Sequence, residues 1–319
     1  MTRKPLKNQP KPSGNPPERK AVPAAQVRAE LLPDQSTALL QELHLLTRGG
    51  DLNADARRKL KQINHLCGML SPALDALFES RPAPVLLDAG AGNAYLGFLL
   101  YDQVFGPRDR GEVLGVEVRP DLVERSRNRA QRLGFQRMAF VEAPVATLLD
   151  EARLGTVAGR RIDAVVTLHA CDTATDDAIA LGILAEAPVI AVVPCCQAEV
   201  SRLLSGGGAG QRGGLMTLWR HGLHRREFGA HLTNVIRGLV LEAHGYQVTV
   251  TELVGWEHSL KNELILARKH QRRNGAAIQQ LRRLLADLPP LPMRLLATPG
   301  LPEDFREPGA TPGAVDGSD

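Results

Sequence analysis

The stretch Val85-Leu86-Leu87-Asp88-Ala89-Gly90-Ala91-Gly92-Asn93 decides the fold. A short apolar run ends in an acidic residue and two glycines, and the chain then enters a helical pattern near Tyr95. Glycine lets the backbone turn sharply and approach a ligand closely. In open α/β sheets, ligands bind beyond the carboxyl ends of the strands. The stretch therefore predicts a ligand-binding turn after the first strand of an α/β sheet.

Aliphatic runs alternate with helical patterns after this turn. We predict strands at residues 85–88, 113–118, 138–142, 164–168, 189–193, 246–253 and 264–267. Apolar strands alternating with helices indicate a mostly parallel sheet covered on both faces. Only about ten residues separate the last two strands, which requires an antiparallel pair because no crossover helix fits. The predicted fold is α/β and Rossmann-like, with a mostly parallel seven-stranded sheet, an antiparallel last strand and an N-terminal helical extension.

Composition suggests how the 319 residues are divided. Residues 1–33 and 299–319 are predicted to be disordered tails, basic and acidic respectively, because such segments bury too little apolar surface to fold. A helical segment is expected at 34–80, the sheet domain at 81–270 and a second helical segment at 271–298.

Within the N-terminal helical segment, the apolar spacing predicts helices at 35–46 and 54–78. Asn53 is the expected N-cap of the second helix. Pro72 is expected to break or kink it.

Several classes of protein are excluded by composition. No run of about 18 apolar residues is present, so no membrane span is predicted. The basic N-terminus lacks the apolar region of a secretory signal, and a cytoplasmic location is expected. The adjacent Cys195 and Cys196 lack zinc-site spacing, so no metal is expected. The net charge of +4 permits a nucleic-acid partner without requiring one.

Acidic residues at three strand ends favour one cofactor over others. Asp88 precedes the glycines, where a carboxylate suits the positive sulfonium of S-adenosylmethionine (SAM) and would be misplaced beside a dinucleotide pyrophosphate. Glu117 can accept both ribose hydroxyls, which suits NAD equally well. Glu142 can reach an adenine amino group. With the closing antiparallel pair, these features favour SAM over NAD(P) or another nucleotide.

The candidate cofactor-binding residues surround the turn and the strand ends. They are Asp88, Gly90, Gly92, Asn93, Tyr95, Glu117, Glu142 and His169. Structural alternatives stay open: Asp88 as a helix cap, Glu117 as a surface acid, and Tyr95 as helix packing instead of a cofactor contact.

Polar residues also follow strands four and five, on the edge where the acceptor of the transferred group is expected. We consider His169 a candidate general base for a hydroxyl acceptor, with Asp172 orienting it or acting alone. Alternatively, His169 bonds to backbone, and Asp172, Thr175 or Asp176 caps the following helix. Cys196 is a further catalytic candidate, either as a nucleophile or, in the simpler interpretation, as a small packing group.

Three stretches together carry a family resemblance. LLDAGAGNAYLGFLLYD, LHACDTATDDAI and VVPCCQAE resemble a Rossmann-like family of class I SAM-dependent methyltransferases with HACD-ATD and PCC motifs. That family includes the methyltransferase region of the glutathione S-transferase C-terminal-domain-containing protein and is similar to tRNA 2'-O-methyltransferases. The resemblance covers roughly residues 54–270 and implies the fold, the use of SAM and methyl transfer. It implies an RNA acceptor less directly, because its motifs surround the cofactor and this chain lacks the zinc modules of those tRNA enzymes.

The loop between the last two strands carries His258, Lys261 and Asn262, which match an H-S/T-x-K/R-N pattern of the same resemblance. We consider His258 a catalytic candidate, and Lys261 and Asn262 substrate-binding candidates, because such donors suit phosphate or another polar group. A solvated loop is the alternative.

A glycine- and arginine-rich insertion at 205–226 contributes Arg220 and Arg225 as substrate-binding candidates, and Trp219 as a base-stacking candidate. A second basic cluster spans 268–273. Either cluster is alternatively a solvated face. The preferred acceptor is RNA, with tRNA as one candidate, bound through the insertion and the basic tail. A protein or small-molecule acceptor, or a SAM- or nucleotide-binding module without catalysis, remains an alternative, and the oligomeric state is left open.

Overall fold

A computed structural model gives the fold of this chain. It describes residues 31–32, 34–168, 170, 172–195, 197–205, 214–253 and 263–301.

Two helices precede the sheet: α1 (Thr37–Glu42) and α2 (Ala54–Ser80). The predicted N-cap of α2 is confirmed, since the Asn53 side chain accepts a hydrogen bond from the Ala56 N–H at 2.8 Å. The first helix is shorter than the predicted 35–46, because His44 adopts a left-handed conformation with φ of 55°. Leu43, Leu45 and Leu46 follow α1 and are buried although they are not helical. Their spacing in the sequence therefore resembles that of a helix.

Of the break or kink predicted at Pro72, the break is wrong, because α2 continues through this residue. Proline removes the N–H that would bond to the carbonyl four residues earlier, at Gly68. Gly68 is exposed, so its carbonyl is accessible to water. The Ser71 hydroxyl also donates to the Cys67 carbonyl at 2.9 Å. The position of Gly68 on the exposed side of α2 is compatible with a proline inside the helix.

The sheet confirms the predicted fold class, with seven strands in the order β3-β2-β1-β4-β5-β7-β6. The strands are β1 (Val85–Ala89), β2 (Glu112–Glu117), β3 (Met138–Glu142), β4 (Ala164–Leu168), β5 (Val189–Val193), β6 (Tyr246–Glu252) and β7 (Glu263–Lys269). Strands β1 to β5 are parallel, and β7 is antiparallel to both β5 and β6. The carboxyl ends of β1 to β5 therefore share one edge of the sheet, here called the carboxyl edge.

Helices connect the strands on both faces. After β1 come α3 (Tyr95–Leu100), a π-helical turn (Tyr101–Phe105) and α4 (Gly106–Arg108), and after β2 comes α5 (Pro120–Leu133). After β3 come a 3-10 turn (Val145–Leu148) and α6 (Leu149–Arg153), and after β4 comes α7 (Thr173–Leu184). After β5 come α8 (Glu199–Ser205), a 3-10 turn (Gly214–Trp219) and α9 (Gly222–Ala243), and after β7 come α10 (Gly275–Ala286) and α11 (Arg294–Ala297).

Strand side chains alternate between two apolar cores. Leu86 packs in one core with α2, α3 and α5, whereas its neighbour Leu87 packs in the other with α7, α9 and α10. This alternation follows from the two-residue period of a strand. Each face of the sheet is thereby covered by helices, as the continuous apolar strands predict.

Two helices are longer than the strands beside them. Helix α2 has 27 residues and α9 has 22, which correspond to about 40 Å and about 33 Å. The five-residue strand β1 spans only about 17 Å. Helix α2 leads into β1 and α9 leads into β6, and both strands begin at the edge opposite the carboxyl edge. Because each helix is longer than its strand, its first turns project beyond the carboxyl edge. The two helices lie on opposite faces of the sheet. None of the helices in the described part of the chain combines the length and the apolar character that a membrane span requires.

Candidate active site

The turn after β1 uses three left-handed backbone positions. Gly90, Gly92 and Ala94 have φ values of 67°, 60° and 56°. Glycine adopts this conformation freely, whereas alanine does so at a cost of about 1–2 kcal/mol. The Ala91 N–H donates to the Val116 carbonyl at 2.9 Å, which ties the turn to β2. The result is a backbone cradle without large side chains at the carboxyl edge.

Asp88 holds the two ends of this turn together. Its Oδ2 accepts a hydrogen bond from the Gly97 N–H at 3.1 Å, and the residue is only 2% exposed. A methyl group added at Gly97 would lie 3.0 Å from the same oxygen, so glycine permits the close approach. Burial raises the pKa of Asp88 to about 7, with Glu117 adding to the rise and the Gly97 N–H opposing it.

Glu117 brings a carboxylate to the turn from the end of β2. Its Oε2 accepts from the Gly92 N–H at 2.8 Å, and its Oε1 accepts from the backbone N–H and Nε of Arg119 at 3.1 and 3.0 Å. Burial alone would raise its pKa, but these hydrogen bonds outweigh burial and lower it. An ionised carboxylate, held by two backbone N–H groups and by Arg119, therefore borders the turn.

The other candidate cofactor residues in the described part lie around the same edge. Glu142 is exposed and faces Glu117 in the register of β3 against β2. Asn93 is half-buried, and its carbonyl accepts from Arg129 Nη1 at 3.3 Å. Tyr95 is half-buried and packs against the core of the α2 face, with Lys59 Nζ 5.2 Å from its ring centre. The turn, its flanking residues and the two strand-end acids thus form one surface.

The cradle and its charges fit SAM. An added methyl group at Gly90 would lie no closer than 3.7 Å to a neighbour, and at Gly92 no closer than 3.8 Å, so both glycines leave room above the backbone. The ionised Glu117 suits a ligand with ribose hydroxyls and a positive centre. The neighbour at Gly90 is the Ala170 Cβ, which shows that the loop after β4 packs beside the turn.

Several candidate residues of the acceptor side lie outside the described residues. They are His169, Cys196, His258, Lys261 and Asn262. Their catalytic, cofactor and substrate roles remain predictions.

Asp172, the described catalytic candidate, caps a helix. Its Oδ1 accepts from the N–H groups of Ala198 and Glu199 at 2.9 and 3.0 Å, and its Oδ2 accepts from Arg202 Nη2 at 2.7 Å. These donors lower its pKa although burial opposes them. The helix capped is α8, which follows β5, whereas the sequence pattern suggested capping of α7. A carboxylate that accepts three hydrogen bonds is a weak proton acceptor. The contacts of Asp172 instead join the loop after β4 to the loop after β5.

A buried ion pair that the sequence patterns did not predict lies beneath this loop. Arg237 of α9 and Asp176 of α7 are both buried, with Nε and Oδ1 2.8 Å apart. Arg237 Nη1 also donates to Asn234 Oδ1 at 3.1 Å, and Asn234 Nδ2 donates to Glu263 Oε2 at 2.8 Å. An arginine within the otherwise apolar run Val235–Leu241 of α9 is the sequence signal that could have revealed this network.

The described basic candidates of the insertion lie at the projecting end of α9. Arg220 is exposed and Arg225 is half-buried. Gly222 precedes Arg237 by fifteen residues, or roughly 22 Å along the helix, so this end stands well away from the turn. The proposed stacking of a base on Trp219 is not supported, because Trp219 is 4% exposed and stacks on Phe228 at 5.2 Å.

The second basic cluster, 268–273, lies away from the site. Arg268 pairs with Val189, the first residue of β5, and Lys269 pairs with Tyr246, the first residue of β6. Because β7 is antiparallel, its end lies at the edge opposite the turn. Among the described residues, no group of histidine, cysteine and acidic side chains could hold a metal ion.

Comparisons with known proteins agree with this geometry. Residues 58–203 match the sequence model of a protein family described as "Methyltransferase domain". No curated protein matches the chain significantly.

Solved structures with a similar arrangement share little sequence with this chain. A SAH-bound methyltransferase from Podospora anserina is 15% identical, with 80% of this chain and 91% of that chain covered and a TM-score of 0.39. An rRNA methylase from Streptococcus thermophilus is 13% identical, with 59% and 88% covered and a TM-score of 0.37. A precorrin-6y C5,15-methyltransferase from Geobacter metallireducens is 18% identical, with 59% and 80% covered and a TM-score of 0.33. These likenesses are too distant to indicate an acceptor.

The family match covers α2 from its second turn, strands β1 to β5 and most of helix α8. It includes the glycine turn, Glu117 and the loops after β4 and β5. Residues 58–203 are thus similar to a methyltransferase domain, and the chain is an enzyme that uses S-adenosylmethionine as its methyl donor.

Proposed function

We propose that this enzyme transfers the methyl group of SAM to RNA. The observation that carries the proposal is the position of the insertion's basic residues. Around the projecting end of α9, Arg220, His221, His224 and Arg226 are exposed. Along the helix axis, Gly222 lies roughly 22 Å from Arg237, which contacts the loop after β4 at the carboxyl edge. A small acceptor would not reach this end of the helix, whereas an extended polyanion bound at the edge would.

The projecting end of α2 supports the same acceptor. Arg58, Lys59 and Lys61 are exposed there, and Lys59 lies against Tyr95 beside the turn. The edge is therefore flanked by cationic helix ends on opposite faces. Contacts to phosphate from such side chains position a nucleic acid without reading its sequence.

The turn and Glu117 are proposed to bind SAM. When bound, SAM supplies a methyl group on a positive sulfonium, which is open to in-line attack by an acceptor atom. We assign to Glu117 the ribose hydroxyls, to Asp88 the shape of the turn and to the glycines the close approach of the backbone. Asn93, Tyr95 and Glu142 are proposed to contact the cofactor at the periphery of the same surface.

On the acceptor side, orientation and exclusion of water would supply much of the rate. We propose His169 as the base for a hydroxyl acceptor, because it directly precedes Ala170, which packs against the turn. Asp172 holds the loops after β4 and β5 together in this scheme. Cys196 and His258 are secondary catalytic candidates, and Lys261 and Asn262 are proposed to bind phosphate.

A protein acceptor is the second candidate, and one observation favours it. Leu215, Leu218 and Leu223 are exposed beside the basic residues, with Leu223 at 59%. Apolar side chains at the surface are more typical of protein contacts than of phosphate contacts.

The test is incubation with radiolabelled SAM and a cell extract that is afterwards separated into RNA, protein and small-molecule fractions. We expect label in the RNA fraction that ribonuclease removes. Label that only protease removes would favour the protein acceptor, and label only in small molecules would contradict the RNA proposal.

Glu117→Gln tests cofactor use, and Glu142→Gln, at the periphery of the same surface, is the comparison. Loss of a charged hydrogen-bond acceptor should weaken SAM binding by roughly 10- to 100-fold, measured by calorimetry. Glu142→Gln, which removes an exposed acid from the same edge, should change the affinity by only about threefold or less. Equal affinities for all three proteins would remove Glu117 from the proposed site.

A further inference from the structure

We propose that Arg237 is a positioning residue, which holds the acceptor side of the site in its active geometry without touching the substrate. The inference rests on the proposed function, since it concerns how the acceptor meets the bound cofactor.

Arg237 is fully buried, and each of its nitrogens donates to a different residue. Nε donates to Asp176 Oδ1 at 2.8 Å, Nη1 to Asn234 Oδ1 at 3.1 Å and Nη2 to the Asp172 carbonyl at 2.8 Å. One planar guanidinium thus joins α9 to α7 and to the loop after β4. Lysine cannot reproduce this fork of donors.

The Asp172 backbone is strained, and its contacts hold it in place. Its φ of 50° and ψ of −118° lie outside the usual regions for a residue with a side chain. Such conformations persist only where surrounding contacts impose them, and they occur at functional sites. Arg237 binds the Asp172 carbonyl, while the start of α8 and Arg202 bind its carboxylate. In the sequence, the predicted catalytic residues His169 and Cys196 precede Asp172 and Glu199 by three positions each.

The network continues to a third acceptor segment through Asn234. Asn234 donates to Glu263, the first residue of β7, at 2.8 Å. Glu263 directly follows residues 254–262, which contain His258, Lys261 and Asn262. Arg237 is therefore linked directly to the loop after β4, through Asp172 to the start of α8, and through Asn234 to the start of β7.

A purely structural role would not require a charge here. Replacing a buried ion pair with apolar residues of similar volume is often neutral or stabilising. Among the residues that the structure describes, Asp176 Oδ2 has no hydrogen-bond partner, which adds to the cost of the pair. The arginine at position 237 is therefore better explained by its hold on the Asp172 loop than by a contribution to the stability of the fold.

Two variants test the proposal in the full chain. Arg237→Lys keeps the charge, and the double variant Asp176→Leu/Arg237→Met removes both charges and leaves neither group buried without its partner. Arg294→Lys is the matched control, because Arg294 pairs with the adjacent Asp177 of the same helix through a side chain that is 44% exposed.

Three measurements are compared: amide hydrogen exchange at Ala198 and Glu199, SAM affinity, and kcat for the labelled acceptor. For the Arg237 variants we expect about tenfold faster exchange, kcat lower by roughly 10- to 100-fold, and SAM affinity within about twofold. Arg294→Lys should match the wild type in all three.

Unchanged exchange at both amides, or unchanged kcat in a folded double variant, would overturn the proposal. A parallel loss of SAM affinity would also overturn it, since Arg237 would then support the cofactor turn. If wild-type protein labels protein or small molecules and no RNA, the proposed function fails while kcat on that acceptor still tests Arg237. If the wild-type protein labels no fraction, the proposal for Arg237 is tested by hydrogen exchange at Ala198 and Glu199.

Discussion

The two halves of the carboxyl edge are built differently. On the cofactor side, Asp88 bonds to a residue nine positions away and Glu117 to one 25 positions away. On the acceptor side, Arg237 bonds to residues 61 and 65 positions away. The cofactor side is therefore a nearly self-contained strand-turn-helix unit, whereas the acceptor side exists only once α7, α9 and the loop after β4 have assembled.

The two halves also differ in chemistry. Carboxylates on the cofactor side accept hydrogen bonds mainly from backbone N–H groups, which require no particular side chain in the partner. On the acceptor side, the central contact joins the buried side chains of Arg237 and Asp176. Loss of one partner leaves the other charge buried and uncompensated, so substitutions there should have the largest effect on stability.

The largest effect is expected for Arg237→Met. The variant leaves Asp176 buried without its counter-ion and should lower the free energy of unfolding by about 3–5 kcal/mol, measured in urea. Asp176→Leu/Arg237→Met should recover most of this loss. Arg294→Met, which breaks a partly exposed pair on the same helix, should cost about 1 kcal/mol or less. A double variant as unstable as the single one would show that the effect is not the uncompensated charge.

The same contrast explains how much of the molecule was predictable. Strands β1 to β5 and the turn at Gly90 are apparent from local sequence, because apolar runs and glycine spacing act over a few residues. The early end of α1 and the continuation of α2 through Pro72 depend on tertiary packing and on local hydrogen bonds, which periodicity does not reveal.

In the site, the signals of Asp88 and Glu117 are also local, since each follows from its place at a strand end. The helix that Asp172 caps could not be read from the sequence, because α8 lies beyond β5 and is brought close only by the parallel pairing of β4 and β5. The contacts of Arg237 required the complete fold for the same reason.

A smaller effect is expected on the cofactor side, from Asp88→Asn. Burial raises the pKa of Asp88 from 3.8 to about 7, so the folded state holds a proton that the unfolded state releases. For an acid with a raised pKa, stability falls as pH rises between these two values and is level above them. Relative to the wild type, the variant should therefore gain about 2–3 kcal/mol between pH 5 and pH 8. Urea unfolding at several pH values measures this difference.

The outcome distinguishes a buried acid from an ordinary surface one. A difference between variant and wild type that does not vary with pH would show that Asp88 is ionised normally. The turn would then be open to water, and the self-contained character of the cofactor side would be lost.

The smallest effect is expected at the projecting end of α9, where no buried group is involved. Arg220→Ser/Arg225→Ser should weaken RNA binding several-fold at moderate salt. It should also reduce the slope of log K against log salt by about 0.7 for each single-strand phosphate that the variant no longer neutralises. Arg268→Ser/Arg272→Ser, at or next to the opposite edge of the sheet, removes the same charge and should leave the slope unchanged. The comparison is made by fluorescence anisotropy over a salt series. Equal slopes in both double variants would mean that net charge attracts RNA without a defined surface, and the acceptor side would then extend no farther than the loops fixed by Arg237.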